Sequence, residues 1–150
     1  MRALLVCPGR GSYQKAHLGM LQEPHPVIEA LDTFRGELGR PTLTELDAAE
    51  RYSASRHVAG ENASLLTFGA SARDIALIDT AKIEIVAVAG NSMGFYTALF
   101  ASGCLSLLEA AHLVEHNHSP AYWRVVAGLM PDWKARRDRM RADADRWVAF

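Results

Sequence analysis

The residues best suited to covalent chemistry are Gly90-Asn91-Ser92-Met93-Gly94. They match the pattern G-x-S-x-G, with an apolar run before them and a helix-compatible segment, Phe95 to Phe100, after them. That layout holds a serine in a sharp strand-to-helix turn, where its hydroxyl projects into a cleft and the glycines remove side chains that would clash. The helix that follows begins with free N–H groups, which stabilise the oxyanion formed when an ester or thioester carbonyl is attacked. Ser92 is therefore the candidate nucleophile, and the Met93 backbone N–H the candidate oxyanion donor. A second segment, Pro8-Gly9-Arg10-Gly11-Ser12, is a glycine-rich loop behind another short apolar run. Open α/β sheets bind ligands at the carboxyl ends of their strands. If the two strands are neighbours, the Arg10 backbone N–H becomes the second oxyanion donor, and Gly9 and Asn91 become candidate substrate-binding positions.

The elements that must position these groups can be read from apolar periodicity. Ala3 to Cys7 is a short apolar run cut off by Pro8-Gly9, and Ile83 to Ala89 is nearly continuous and rich in β-branched residues. Both read as buried strands. Val27, Ile28, Leu31 and Phe34 recur at helical spacing after Pro26, and Gly36 and Gly39 mark where that helix stops. Leu43 and Leu46 anchor a polar stretch. Asn62 to Ile78 has a broad apolar face and predicts a mostly buried helix. Met93 to Ser102 predicts another, broken by Gly103, and Ser106 can cap a third. Strands alternating with helices predict an α/β sheet with helices on its faces.

On two motifs at the right separation, the chain resembles the malonyl-CoA:acyl-carrier-protein transacylase family. The family opens on F-P-G-Q-G-S-Q, matched by Cys7-Pro8-Gly9-Arg10-Gly11-Ser12-Tyr13, and its nucleophile motif G-H-S-L-G-E-Y-x-A-L is matched by Gly90 to Leu99. Ala101 to Ala111 resembles its A-x-G-x-L-S-x-x-x-A stretch, and the likeness runs from Met1 to about Glu115. It implies a three-layer sheet with helices on both faces, the large subdomain of an acyltransferase. It also implies a ping-pong reaction in which Ser92 takes an acyl group from coenzyme A and passes it to acyl carrier protein. Acyl-CoA and acyl carrier protein are the implied partners, with the coenzyme A thioester as substrate and no bound cofactor.

The chain departs from the family where chemistry depends on it. Asn91 stands for His, Phe95 for Glu, and Arg10 for a Gln whose backbone helps form the oxyanion hole, a role that survives a side-chain change. Asn117 stands where the family has an arginine that clamps a free carboxylate, and a neutral amide cannot make that bidentate, charge-assisted pair. An acyl group without a second carboxylate is then at least as plausible. Serine also needs a base, and the family's histidine lies well beyond position 150. Of the six histidines, only His17 falls near the first loop. The expected organisation is a partial acyltransferase domain over residues 1–118 and a divergent helical tail over 119–150, apparently truncated and without efficient turnover alone. A serine esterase or thioesterase, and a non-catalytic remnant, are the alternatives.

Composition narrows the remaining classes. The chain has 150 residues, 49% of them hydrophobic, and 16 basic residues against 17 acidic ones. It is long enough for a core and shows no basic surface for nucleic acid. Asp132 to Arg146 has six basic and four acidic residues, which fits a solvated helix face. Two distant cysteines fit a cytoplasmic protein, and no segment suits a signal peptide or a membrane span. The glycine loop lacks the Gly-Lys-Ser/Thr ending of a phosphate loop. His112-Leu113-Val114-Glu115-His116 formally matches the inverted zinc-peptidase motif H-x-x-E-H. Helix-surface histidines near a C-terminus explain it better, and no metal is expected.

Overall fold

The computed structural model describes residues 1–114 together with 127–128, 131–132, 134–135 and 138–139. The chain divides into two compact units, Met1–His116 and Asn117–Phe150. In the first, strand β1 (Arg2–Cys7) is followed by a 3-10 turn (Lys15–His17) and helices α1 (Pro26–Glu37) and α2 (Leu43–Asp47). A π turn (Ala54–Val58), helix α3 (Gly60–Ala76), strand β2 (Glu84–Gly90) and helices α4 (Gly94–Ala101) and α5 (Leu107–Val114) complete it. In the second unit, residues 127–128, 134–135 and 138–139 are helical.

Local chemistry sets most of these boundaries. Pro26 opens α1 at a position where its missing N–H is not needed, and the His25 ring accepts from the Val27 N–H. The helix ends in a Schellman motif: Gly39 adopts φ +65°, its N–H donates to the Gly36 carbonyl, and that of Arg40 donates to the Arg35 carbonyl. Thr42 and Glu45 cap α2 reciprocally. Ser106 and Glu109 do the same for α5, and the two hydrogen bonds from Ser106 hold the exposed Glu109 carboxyl below its ordinary range.

The core is helical and centres on α3. Leu65, Leu66, Phe68 and Ala72 are fully buried there, against Leu31, Leu43 and Leu46 of the first two helices and Ala110, Ala111 and Val114 of α5. No described helix is long and apolar enough to cross a membrane.

β1 and β2 pair in parallel, in register from Arg2↔Glu84 to Cys7↔Gly90, with one irregularity between Ala3 and Leu4. The two strands therefore end level, and the loops after them leave at the same edge. The expected three-layer sheet does not appear among the described residues. There the sheet has two strands, and Leu4 (58% exposed), Val6 (66%) and Val86 (46%) face solvent. Continuous apolar runs suit strands covered on both faces; here the described helices cover one. The side chains imply a second layer that the described chain does not provide.

A buried hub fixes the loop after β1. Asp47, 1% exposed, accepts from the Tyr13 hydroxyl, from the N–H groups of Gly19 and Leu21 at 3.1 and 3.0 Å, and from Gln22 Nε2 at 2.7 Å. Tyr13 is buried too, and its carbonyl accepts from the Tyr52 hydroxyl at 3.0 Å. Asp47→Ala would leave several buried donors without an acceptor, so it is expected to cost about 3 kcal/mol in urea unfolding. Burial, then the hydrogen bond and charge of Asp47, push the Tyr13 phenol well above the ordinary tyrosine range. The folded pKa exceeds the unfolded value of about 10, so this contribution is complete below about pH 10 and is lost as pH rises beyond it. Stability should decline above about pH 10, and less steeply in Tyr13→Phe.

Candidate functional site

The turn between β2 and α4 brings the sequence-predicted residues together. Ser92 adopts φ +54°, the only positive φ among the described non-glycine residues. That left-handed conformation is costly for a residue with a side chain and persists where surrounding structure dictates it. Two hydrogen bonds do so here: the Gly94 N–H donates to the Asn91 carbonyl at 2.8 Å, and the Phe95 N–H to the Ser92 carbonyl at 3.0 Å.

Three glycines let the backbone segments close on one another. A Cβ on Gly90 would strike the Gly94 carbonyl, and one on Gly94 would strike the carbonyl oxygens of Cys7 and Pro8. A Cβ on Gly9 would lie 3.2 Å from the Asn91 oxygen and 3.7 Å from Ser92 Cβ. The first loop thus packs directly against the turn that carries the serine, and Gly9 and Asn91 meet there. The condition set by the sequence, that the two strands be neighbours, is met.

The polar groups at this junction are free to act. Ser92 is exposed, and its hydroxyl makes no hydrogen bond among the described residues. The N–H groups of Arg10 and Met93 donate to no backbone carbonyl there, and the Met93 side chain is buried, which anchors the start of α4. An exposed hydroxyl on a strained turn, with N–H groups on the adjoining segments that no described carbonyl accepts, supplies the kinds of group that attack on a carbonyl requires.

No described histidine is hydrogen-bonded to Ser92. His17 lines a small cleft with Pro8, Ser12, Thr67 and Asp74, and its Nδ1 accepts from the Gln14 N–H at 2.9 Å. His25 caps α1, and His57 is buried with Nε2 2.9 Å from the Leu46 carbonyl. His112 packs edge-on against Phe34, ring centres 4.6 Å apart. Asn117 lies outside the described residues, as do His116 and His118. Sequence reasoning missed the Asp47–Tyr13 hub and the placement of the Arg10 guanidinium, whose Nη2 lies 3.2 Å from where a Gly60 Cβ would be.

Comparison with known proteins adds two likenesses. The chain is similar to the crystal structure of an acyl-carrier-protein S-malonyltransferase from Burkholderia pseudomallei 1710b, at 28% identity and a TM-score of 0.62. The match covers 77% of this chain and 37% of that one, so the chain spans a little over a third of the protein it resembles. The described fold, a small open parallel sheet with packed helices, is thus acyltransferase-like. A family model described as YgjP-like, metallopeptidase domain, matches residues 108–143. No curated protein matches the chain.

The second likeness covers the H-x-x-E-H motif, of which only His112 to Val114 are described. Among the described residues no group of three or more His, Cys, Asp and Glu side chains is placed to hold a metal. Purified protein is expected to carry well under one zinc per chain by atomic emission. Stoichiometric zinc, lost in His112→Ala, would favour the peptidase likeness instead.

Proposed function

We propose that this chain carries the nucleophile part of an acyltransferase, in which Ser92 accepts a short acyl group from coenzyme A and delivers it to the thiol of acyl carrier protein. The observation that carries this reading is the strained Ser92 turn at the end of a parallel strand, with the Gly9 loop packed against it. The likeness to a malonyltransferase supports thioester chemistry at that turn.

In the reaction, Ser92 Oγ attacks the thioester carbonyl and forms a new C–O bond while the carbonyl electrons move onto oxygen. The Arg10 and Met93 N–H groups stabilise that oxyanion, and its collapse expels the coenzyme A thiolate. The carrier thiol repeats the sequence on acyl-Ser92 and regenerates the serine. Asn91 and Gly9 border the bound acyl group. The proton on Ser92 needs an acceptor, and the described histidines are engaged elsewhere. With no base in place the Ser92 proton passes to solvent as the thiolate leaves, so acylation by the chain alone is slow and turnover with it.

The test is to supply acyl-CoA with and without acyl carrier protein. Acyl transfer that requires the carrier thiol supports the proposal. Release of free acid at the same rate without it would identify a hydrolase. No reaction at Ser92 with any thioester would leave a non-catalytic remnant of the fold.

A further inference from the structure

Among the described residues β1 pairs on one side only, and no strand lies along its other edge. The Met1 carbonyl accepts from the Glu84 N–H at 2.8 Å, and the register irregularity skips Val86 on β2, so β1 itself runs unbroken. Successive residues alternate along a strand, which turns the backbone groups of Ala3 and Leu5 toward β2 and those of Arg2, Leu4 and Val6 outward. An open row of N–H and C=O groups on an apolar strand is a template for a further strand. Charges and prolines blunt such edges, and Ala3 to Cys7 has neither.

The same edge forms one wall of a groove. Leu5 to Pro8 border it on one side, and Ser71, Asp74, Ile75 and Ile78 on the other. Side chains alternate across a strand, so a hollow bordered by four consecutive residues runs along the edge and not over a face. The facing wall has helical spacing over the end of α3, and Ile75 and Ile78 are only half-buried there. The strand edge requires N–H and C=O groups in extended register, which a helix does not offer. The isoleucines require apolar side chains above them. An extended apolar segment meets both requirements.

We infer that this groove docks β1 of a second copy, paired antiparallel about a two-fold axis to give the strand order β2-β1-β1-β2. β1 is itself extended, apolar and short of a partner, so one contact satisfies two open edges and fills two grooves. The two-fold contact closes at two copies, whereas β1 on the partner's β2 would propagate without end. Direction also suits charge. Antiparallel pairing carries Arg2, which begins each strand, to the end of the other groove, where Pro8 and Asp74 stand. Parallel pairing would set the two Arg2 residues side by side. The contact is short, below the roughly 1,200 Å² of standard interfaces, so the dimer is weak and follows concentration. The inference is independent of the chemistry at Ser92.

The experiment is sedimentation velocity of the full chain over a concentration series, which is expected to show a monomer–dimer equilibrium with a Kd of about 10–100 µM. Leu4 is 58% exposed, so replacing it leaves the core intact. In the paired strands the two Leu4 positions lie opposite or one pair apart, within reach of long side chains. Leu4→Lys and Leu4→Glu each set like charges across the contact, and each is expected to raise Kd at least about ten-fold. An equimolar mixture of the two is expected to associate within about three-fold of the unaltered chain. Circular dichroism checks that each variant is folded. Amide hydrogen exchange of the unaltered chain gives a readout that needs no variant: the Leu4 and Val6 N–H groups gain protection as concentration passes through Kd. A chain that stays monomeric up to about 0.5 mM would overturn the inference. So would a dimer that both variants leave intact, or a mixture no better associated than its components. Leu4 and Val6 N–H groups already protected in the dilute monomer would also overturn it, and would assign the edge to another segment of the same chain.

Discussion

Ser92→Ala is expected to abolish acyl-enzyme formation, lowering the rate of labelling by acyl-CoA by about a thousand-fold or more, with no change in the unfolding midpoint. The chemical part follows from the proposed mechanism: without Oγ there is no atom to form the ester, and the oxyanion donors have no intermediate to hold. The structural part follows from what the side chain does not do. Ser92 is exposed and its hydroxyl supports no other group among the described residues, so removing it opens no cavity and strands no donor. Alanine also keeps the Cβ that makes φ +54° costly, leaving the backbone strain in place. Ser92→Gly should also be inactive but slightly more stable, by up to about 1 kcal/mol, because glycine adopts that region without penalty. A pair of inactive variants differing in stability in that direction would separate the strained turn from the chemistry.

Gly94→Ala should have the opposite profile, with the fold failing first. The added methyl would overlap the carbonyl oxygens of Cys7 and Pro8, which belong to the end of β1 and cannot rotate away as a side chain could. Relief requires α4 to move off the sheet or the first loop to lift from the turn, and either separates Arg10 from Met93. A loss of at least about 3 kcal/mol is expected, read as reduced soluble yield and a lowered midpoint in urea. Gly36→Ala is the control: it lies within α1, a Cβ there would meet nothing within 4 Å, and its φ is not positive. It should be neutral or stabilising by up to about 1 kcal/mol. Equal tolerance of both substitutions would contradict the packing described for the junction.

Much of this arrangement was legible in the sequence because its signals are local. The second strand spans Glu84–Gly90 where the apolar run Ile83 to Ala89 predicts it, and Gly60–Ala76 forms the buried helix expected from Asn62 to Ile78. Pro26, Gly39 and Ser106 mark element boundaries through φ restriction, left-handed geometry and capping, each a property of a single residue. The elbow is also local, since five consecutive residues contain it. What could not be read is long-range. Asp47 meets Tyr13 across 34 positions, and nothing about an aspartate in a polar stretch marks it as the acceptor for four donors. The Arg10 guanidinium reaches Gly60 only because β1 and α3 are brought to the same edge. The three-layer sheet was implied by the family resemblance, and the apolar strands fitted it. Periodicity records which faces are fit to be covered, and the bare face at Leu4, Val6 and Val86 shows that this differs from which faces the described chain covers.

The two cysteines give the labelling chemistry a built-in comparison. Cys7 is buried, and burial pushes its thiol above the ordinary range, so it is a poor nucleophile. Cys104 is exposed and available to any reactive thioester. The central claim, that the Ser92 turn is built to accept an acyl group, is therefore tested most directly by mapping where acylation falls. The full chain would be incubated with malonyl-CoA over a long time course, digested and analysed by mass spectrometry. The account predicts a malonyl adduct on the peptide containing Ser92, absent in Ser92→Ala. An adduct confined to Cys104, or none at any time, would contradict it.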